Sequence, residues 1–167
     1  MKKSSYDLLT PIAFETHLHN IFDDAVCGVV WLGYANVLFM GLPSITAGES
    51  HAPEDPTKRR ELSTHRSTWI LRCRDQQICT ADDTREFILA SFEPLKSEPV
   101  VHWELEHTTL ILHLTFKGDW SLDLMPWNDA DFSAEELASD AWLLQVGNRY
   151  YAVSCAKEIH FIETGLR

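Results

Sequence analysis

Two periodicities run along the chain, one near 3.6 residues and one of 2, and each occurs twice. Phe14, Leu18, Ile21 and Phe22 stand at i, i+4, i+7 and i+8, the spacing of a single apolar stripe on a helix. Thr10 is placed to cap that helix. Pro11 suits its first turn, where a missing amide hydrogen costs nothing. A second helix is expected from Asp82 or Asp83, whose carboxylates would accept free amide hydrogens, to about Phe92, with Pro94 and Pro99 closing it.

Strands follow each helix. Leu110, Leu112, Leu114 and Phe116 alternate with Ile111, His113 and Thr115, and after Lys117-Gly118-Asp119 the alternation resumes at Trp120, Leu122 and Leu124. A two-residue turn at His107-Thr108 would set Glu106 opposite Thr109, Glu104 opposite Ile111 and His102 opposite His113, with Trp103 and Leu105 turned inward. A second pair runs from Trp142 to Val146, turns at Gly147-Asn148 in the manner of a type II′ turn, and returns from Arg149 to Cys155. Its counterpart is Trp69 to Cys73, turning at Arg74-Asp75 into Gln76 to Ala81. Residues 158 to 163 alternate again and read as an edge strand.

The pattern repeats. Trp31 lies 72 residues before Trp103, and Trp69 lies 73 before Trp142, so four of the six tryptophans pair at nearly constant offset. The expectation is an α+β fold with an internal duplication of a helix plus antiparallel β-hairpin unit. Half-unit one spans about 8–81 and half-unit two about 82–163, packed as one domain over 1–167 with twisted antiparallel sheets. With 45% hydrophobic and 23% charged residues, the chain can bury a proper core.

The two units differ where they should correspond. Against His102, Glu104, Glu106, Thr109 and Ile111 the first unit sets Val30, Leu32, Tyr34, Val37 and Phe39, a hairpin apolar on both faces. Such a pair is covered by the first helix, by the other unit, or by a second chain. If nothing in the chain covers it, it is a homodimer surface or a ligand groove. The connectors differ too. Gly48 to Arg66 carries Lys58, Arg59, Arg60 and Arg66 and reads as a long exposed loop, whereas 126–140 opens a short helix with the capping box Ser133-Ala134-Glu135-Glu136.

Charge narrows the partners. Fourteen Lys and Arg against 25 Asp and Glu give a net charge of −11, which repels a nucleic-acid backbone. Lys2 and Lys3 are followed by polar residues rather than an apolar run, and no stretch approaches a spanning segment, so a cytosolic protein with no membrane partner is expected. Cys27, Cys73, Cys79 and Cys155 are scattered without a metal-binding spacing and are expected as free thiols.

Three chemistries remain to be weighed. Asp119, Asp123, Asp129, Asp131, Glu135, Glu136 and Asp140 crowd one stretch without a single base, interleaved with Trp120, Trp127 and Phe132. This is either a solvated face or a docking surface for a basic protein. In the latter, Trp127 and Phe132 would anchor and Asp129, Asp131, Glu135 and Glu136 would steer. Asp129-Ala130-Asp131 begins like a calcium loop but lacks its remaining ligands. His102, His113 and Glu104 on one sheet face form a ligand set for zinc or iron, a divalent metal being the one cofactor suggested, or else are polar residues kept for solubility. His17 and His19 diverge around their helix, and His160 stands in the last strand as an ordinary surface residue. No nucleophile elbow, zinc-protease helix, phosphate loop or dinucleotide fingerprint occurs, so no catalytic residue is assigned and a non-enzymatic role is favoured.

Leu110-Ile111-Leu112-His113-Leu114-Thr115-Phe116-Lys117-Gly118, continued by Leu122, Leu124 and Pro126 and then by Trp142, resembles small bacterial domains of unknown function. Some acidic proteins of this style are immunity partners in toxin systems. The resemblance implies a binding protein, with an immunity or inhibitor role against a basic partner, and assigns no residue. Alternatives are a small-molecule or metal-binding domain using the outer face of the 100–116 hairpin, and a structural homodimer.

Overall fold

The computed structural model describes residues 6–45, 58–128 and 130–164, with Tyr6 described by its backbone alone. In chain order the elements are β1 (Tyr6–Leu9), α1 (Pro11–Phe22), β2 (Val30–Leu32), β3 (Leu38–Gly41), β4 (Arg60–Thr64), β5 (Ser67–Cys73) and β6 (Gln76–Thr80). Then come α2 (Arg85–Phe92), β7 (Val100–Leu105), β8 (Leu112–Phe116), β9 (Trp120–Pro126), α3 (Ala134–Leu137), β10 (Asp140–Val146), β11 (Arg149–Ser154) and β12 (Ile159–Glu163). Both helices and antiparallel sheets are present and strands predominate, an α+β arrangement.

The strands form two sheets, one ordered β1-β12-β11-β10-β4-β3-β2 and one ordered β6-β5-β9-β8-β7. The strand runs β2-β3-β4 and β7-β8-β9 each form a three-strand meander, and each is extended by a hairpin from the other half of the chain: β10-β11 beside β4, and β5-β6 beside β9. The short segments ahead of β2 and β7 also pair, Val26 opposite Pro99, with the Cys27 amide donating to the Glu98 carbonyl and the Ser97 amide to that of Cys27.

The two longer helices pack against the exchanged hairpins, α1 on β10-β11 and α2 on β5-β6. The α1 stripe is fully realised: Phe14, Leu18, Ile21 and Phe22 are all buried, and the Thr10 hydroxyl accepts from the Ala13 amide. Phe14 stacks between Trp142 and Tyr151, with ring centroids 5.8 and 5.5 Å away, while Phe92 at the end of α2 meets Trp69 edge-on at 5.8 Å. Inner faces of both sheets and both helices share a single buried cluster. Removing each large side chain in it from water contributes about 2–3 kcal/mol.

Several expectations are corrected. The α2 cap is Thr84, whose hydroxyl accepts from the Phe87 amide; Asp83 instead receives the Thr80 amide and closes the turn leading in. Residues 158–163 supply β12, which lies between β11 and β1 rather than at an edge. Within the long loop expected from Gly48 to Arg66, positions 46–57 lie outside the described residues, but Arg60–Thr64 is a strand with Leu62, Ser63 and Thr64 buried. Buried Thr64 is satisfied there by accepting the Leu38 amide at 2.9 Å. The connectors therefore do not correspond: the long one in the first half separates β3 from β4, and the acidic one in the second half separates β9 from β10.

Trp31 and Trp103 do not correspond either. Trp31 faces outward and stacks on Phe39 at 3.7 Å and 2°, whereas Trp103 packs inward against Phe22 at 6.0 Å.

Candidate functional site

The outer face of the β7-β8-β9 meander differs from the expected metal set because the hairpin register is slipped by two residues. Glu106 and Ile111 close a wider turn, with Glu106 donating to the Ile111 carbonyl and the Leu110 amide returning to the Glu106 carbonyl at 2.8 Å. Leu110 takes a left-handed φ of 55° to do so. Glu104 thus stands opposite His113, and His102 opposite Thr115. A slip of two preserves which face each side chain takes, so the inward and outward assignment survives while the partners change.

What the register assembles around His113 is an ionic chain. Its Nδ1 meets the Asp123 carboxylate at 2.7 Å and its Nε2 the Glu106 carboxylate at 3.0 Å. Arg72, from β5, pairs with the other oxygen of Asp123, and Thr109 donates to the second Glu106 oxygen at 2.6 Å. Partial burial works against a charged imidazole, but the hydrogen bonds and charges of Asp123 and Glu106 outweigh it and raise the His113 pKa. Bonds from Thr109 and His113 in turn hold Glu106 below the usual carboxylate range. Both ring nitrogens are engaged, so neither is offered to a substrate. Among the described residues, no group of three His, Cys, Asp or Glu is arranged to hold a metal ion. An open hollow of about 620 Å³ adjoins the chain, with Arg74, Asp75, Asp119 and Trp120 on its walls.

The acidic surface after β9 is built differently. The ladder between β5 and β9 ends at Thr68 opposite Met125 and Ser67 opposite Pro126, and the Trp127 amide donates to the Arg66 carbonyl at 3.0 Å. That anchor fixes the direction in which the chain leaves the sheet. Trp127 remains 43% exposed, and Phe132 is half-buried against the core. The two rings are 6.4 Å apart at 52°. With Thr68, Met125, Pro126 and Asn128 they line a hollow of about 500 Å³.

Helix α3 carries the acids beyond it. The expected capping box is present: Ser133 accepts from the Glu136 amide, and the Glu136 carboxylate accepts from the Ser133 amide at 2.8 Å. Those bonds hold the Glu136 carboxyl below its ordinary value, and the Arg66 guanidinium lies 3.7 Å from it. Glu136 therefore serves its own helix first. Asp131 and Glu135 are exposed, and Asp129 lies outside the described residues.

The hairpin singled out for dimerisation divides between two faces. Leu32 is buried in the chain's own core and Val30 packs against it, whereas Tyr34 is 94% exposed; Val37 and Phe39 are half-buried. Leu32 is thus covered within the monomer and is withdrawn from any contact between copies. Sequence reasoning missed Arg85, whose guanidinium donates to the carbonyls of Leu32 at 2.8 Å and Gly33 at 2.7 Å, capping acceptors along the edge of β2. Only an arginine two residues past the turn aspartate Asp83 signals this in the sequence. Of the described helices, none is long and apolar enough to cross a membrane.

Comparison with known proteins gives no matching family model, no matching curated protein and no matching solved structure.

Proposed function

We propose that this chain is a non-enzymatic protein-binding module whose docking surface is the segment from Met125 to Glu136, and that its partner is a basic protein. The observation that carries this reading is the half-exposed Trp127 standing over the hollow it shares with Phe132, with exposed Asp131 and Glu135 alongside. Aromatic anchors in a hollow supply desolvated contact, and carboxylates around them steer a cationic partner in. The net charge of −11 favours the same partners at longer range. An immunity or inhibitor role, cytosolic in setting, is the narrower form of this proposal. The ionic chain at His113 supports a structural role, because every ring nitrogen and carboxylate in it already has a partner.

The test uses the triple variant Asp131→Lys, Glu135→Lys, Trp127→Ala, leaving Glu136 to cap α3. Affinity capture with mass-spectrometric identification should retrieve one basic protein with the parent chain and lose it with the variant, at unchanged circular dichroism and melting. Equal capture by both overturns the reading.

An internal duplication is also proposed, at the level of element order. The matched meanders, the exchanged hairpins and the central pairing of Val26 with Pro99 support it. The opposite orientations of Trp31 and Trp103 limit it, so a constant residue offset is not part of the proposal.

A further inference from the structure

The hollow at Trp127 has a chemistry more specific than an apolar anchor point. Its two aromatic walls, 6.4 Å apart and inclined at 52°, form an open wedge, neither parallel nor edge-on. A ring face carries the negative end of the aromatic quadrupole and attracts a cation placed over it. Met125 and Pro126 continue the wall with aliphatic surface, and both are held in place by the ladder to Ser67 and Thr68. None of the described residues that line it is charged.

The surroundings select the sign of an occupant. From Asp119 to Asp140 the sequence holds no Lys, Arg or His. Asp131 immediately precedes Phe132, and Glu135 follows it on the exposed side of α3. Arg66, whose carbonyl anchors the Trp127 amide, turns its guanidinium to Glu136. An anion entering here would face the electron-rich ring faces with the carboxylates of Asp131 and Glu135 close by in the chain, and a neutral apolar group would gain nothing from Asp131 and Glu135. A long side chain with an aliphatic stem and a cationic head matches both halves of the site.

We propose that this hollow receives one lysine or arginine side chain of the partner, with the charged head against the Trp127 ring and toward Asp131, and the stem against Met125, Pro126 and Phe132. The inference rests on the docking reading above and specifies what the anchor recognises. The hollow is then a point of selection for a basic residue and not only a place of attachment.

Isotopically labelled full-length chain is titrated with blocked Gly-Ser peptides bearing one central lysine, arginine, norleucine or citrulline, and with choline chloride. The readout is the Trp127 indole N–H resonance, assigned by its loss in Trp127→Phe. The lysine and arginine peptides should shift that resonance saturably and bind about tenfold more tightly than their neutral counterparts. Asp131→Asn should weaken them, and Trp120→Phe, at the other hollow, should leave them unchanged. Equal binding of norleucine and lysine overturns the cation assignment while leaving the docking surface standing. Tighter binding of choline than of the lysine peptide overturns the assignment to a protein side chain, and no shift of Trp127 with any probe overturns the site itself. Failure of the docking reading is distinguishable, because it appears as partner capture that survives the triple variant.

Discussion

The indole N–H of Trp142 donates to the main-chain carbonyl of Leu110 at 3.2 Å, tying a buried strand of the larger sheet to the turn that closes the β7-β8 hairpin of the smaller one. The counterpart indole on Trp69 is equally buried but finds no acceptor among the described residues. Replacing either tryptophan with phenylalanine leaves a similar void, but only Trp142→Phe also strips a buried carbonyl of its partner, adding about 1–3 kcal/mol. Urea unfolding should therefore show Trp142→Phe to be the more damaging by that margin. Equal losses would mean that the Leu110 carbonyl is satisfied in some other way.

His113 gives the fold a pH dependence of definite sign. Its folded pKa is raised above the ordinary 6.5 by Asp123 and Glu106, so the stabilisation is complete below the unfolded value and is lost as pH rises through the folded one. Glu106 is depressed, so its share is present above its ordinary 4.5 and fades as pH falls. The stability difference between the parent chain and His113→Gln should be largest between the ordinary Glu and His values, at about pH 5–6, and should shrink as pH rises past the ordinary His value. Denaturant melts across that range measure it, and a difference that grows with pH contradicts the ionic chain.

Local periodicity made much of this legible, and long-range pairing made the rest invisible. The α1 stripe and the alternation of Leu112, Leu114, Leu122 and Leu124 are burial patterns written in neighbouring residues. β4 is different: Arg60-Glu61-Leu62-Ser63-Thr64 contains one large apolar residue and becomes a strand because β3 and β10 flank it. The His113 partners were missed because the turn uses Leu110 at positive φ, where no glycine or asparagine marks the spot. The aromatic-acid stretch was legible as composition, but the course of the chain at Trp127 depends on the hydrogen bond its amide donates to the Arg66 carbonyl, a contact between residues far apart in sequence.

The start of α2 separates two adjacent acids from the residue that caps. Thr84→Ala removes the hydroxyl that accepts the Phe87 amide and should cost about 1 kcal/mol. Asp82→Ala should cost close to nothing, since that exposed side chain does not cap the helix. Thermal melts of the two variants distinguish this from the aspartate cap suggested by sequence, which predicts a loss at Asp82 or Asp83 and none at Thr84.

Thiol reactivity reports on the core directly, because only the thiolate attacks a disulfide reagent. Burial pushes Cys27 up to about 12, and burial together with Asp83 pushes Cys79 up to about 11 despite a bond from Ser91. Burial also raises Cys155, which is 3% exposed. Cys73 alone of the four is not buried, lying at the tip of the β5-β6 hairpin beside Gln76. An aromatic disulfide reagent at neutral pH should therefore label one thiol quickly in the native protein and all four once it is unfolded. Cys73→Ser should abolish the fast phase. If a fast phase persists in that variant, then Cys27, Cys79 or Cys155 is reaching solvent, Cys155 by opening the bond its thiol donates to the Arg66 carbonyl at 3.6 Å, and the burial of these thiols is overturned.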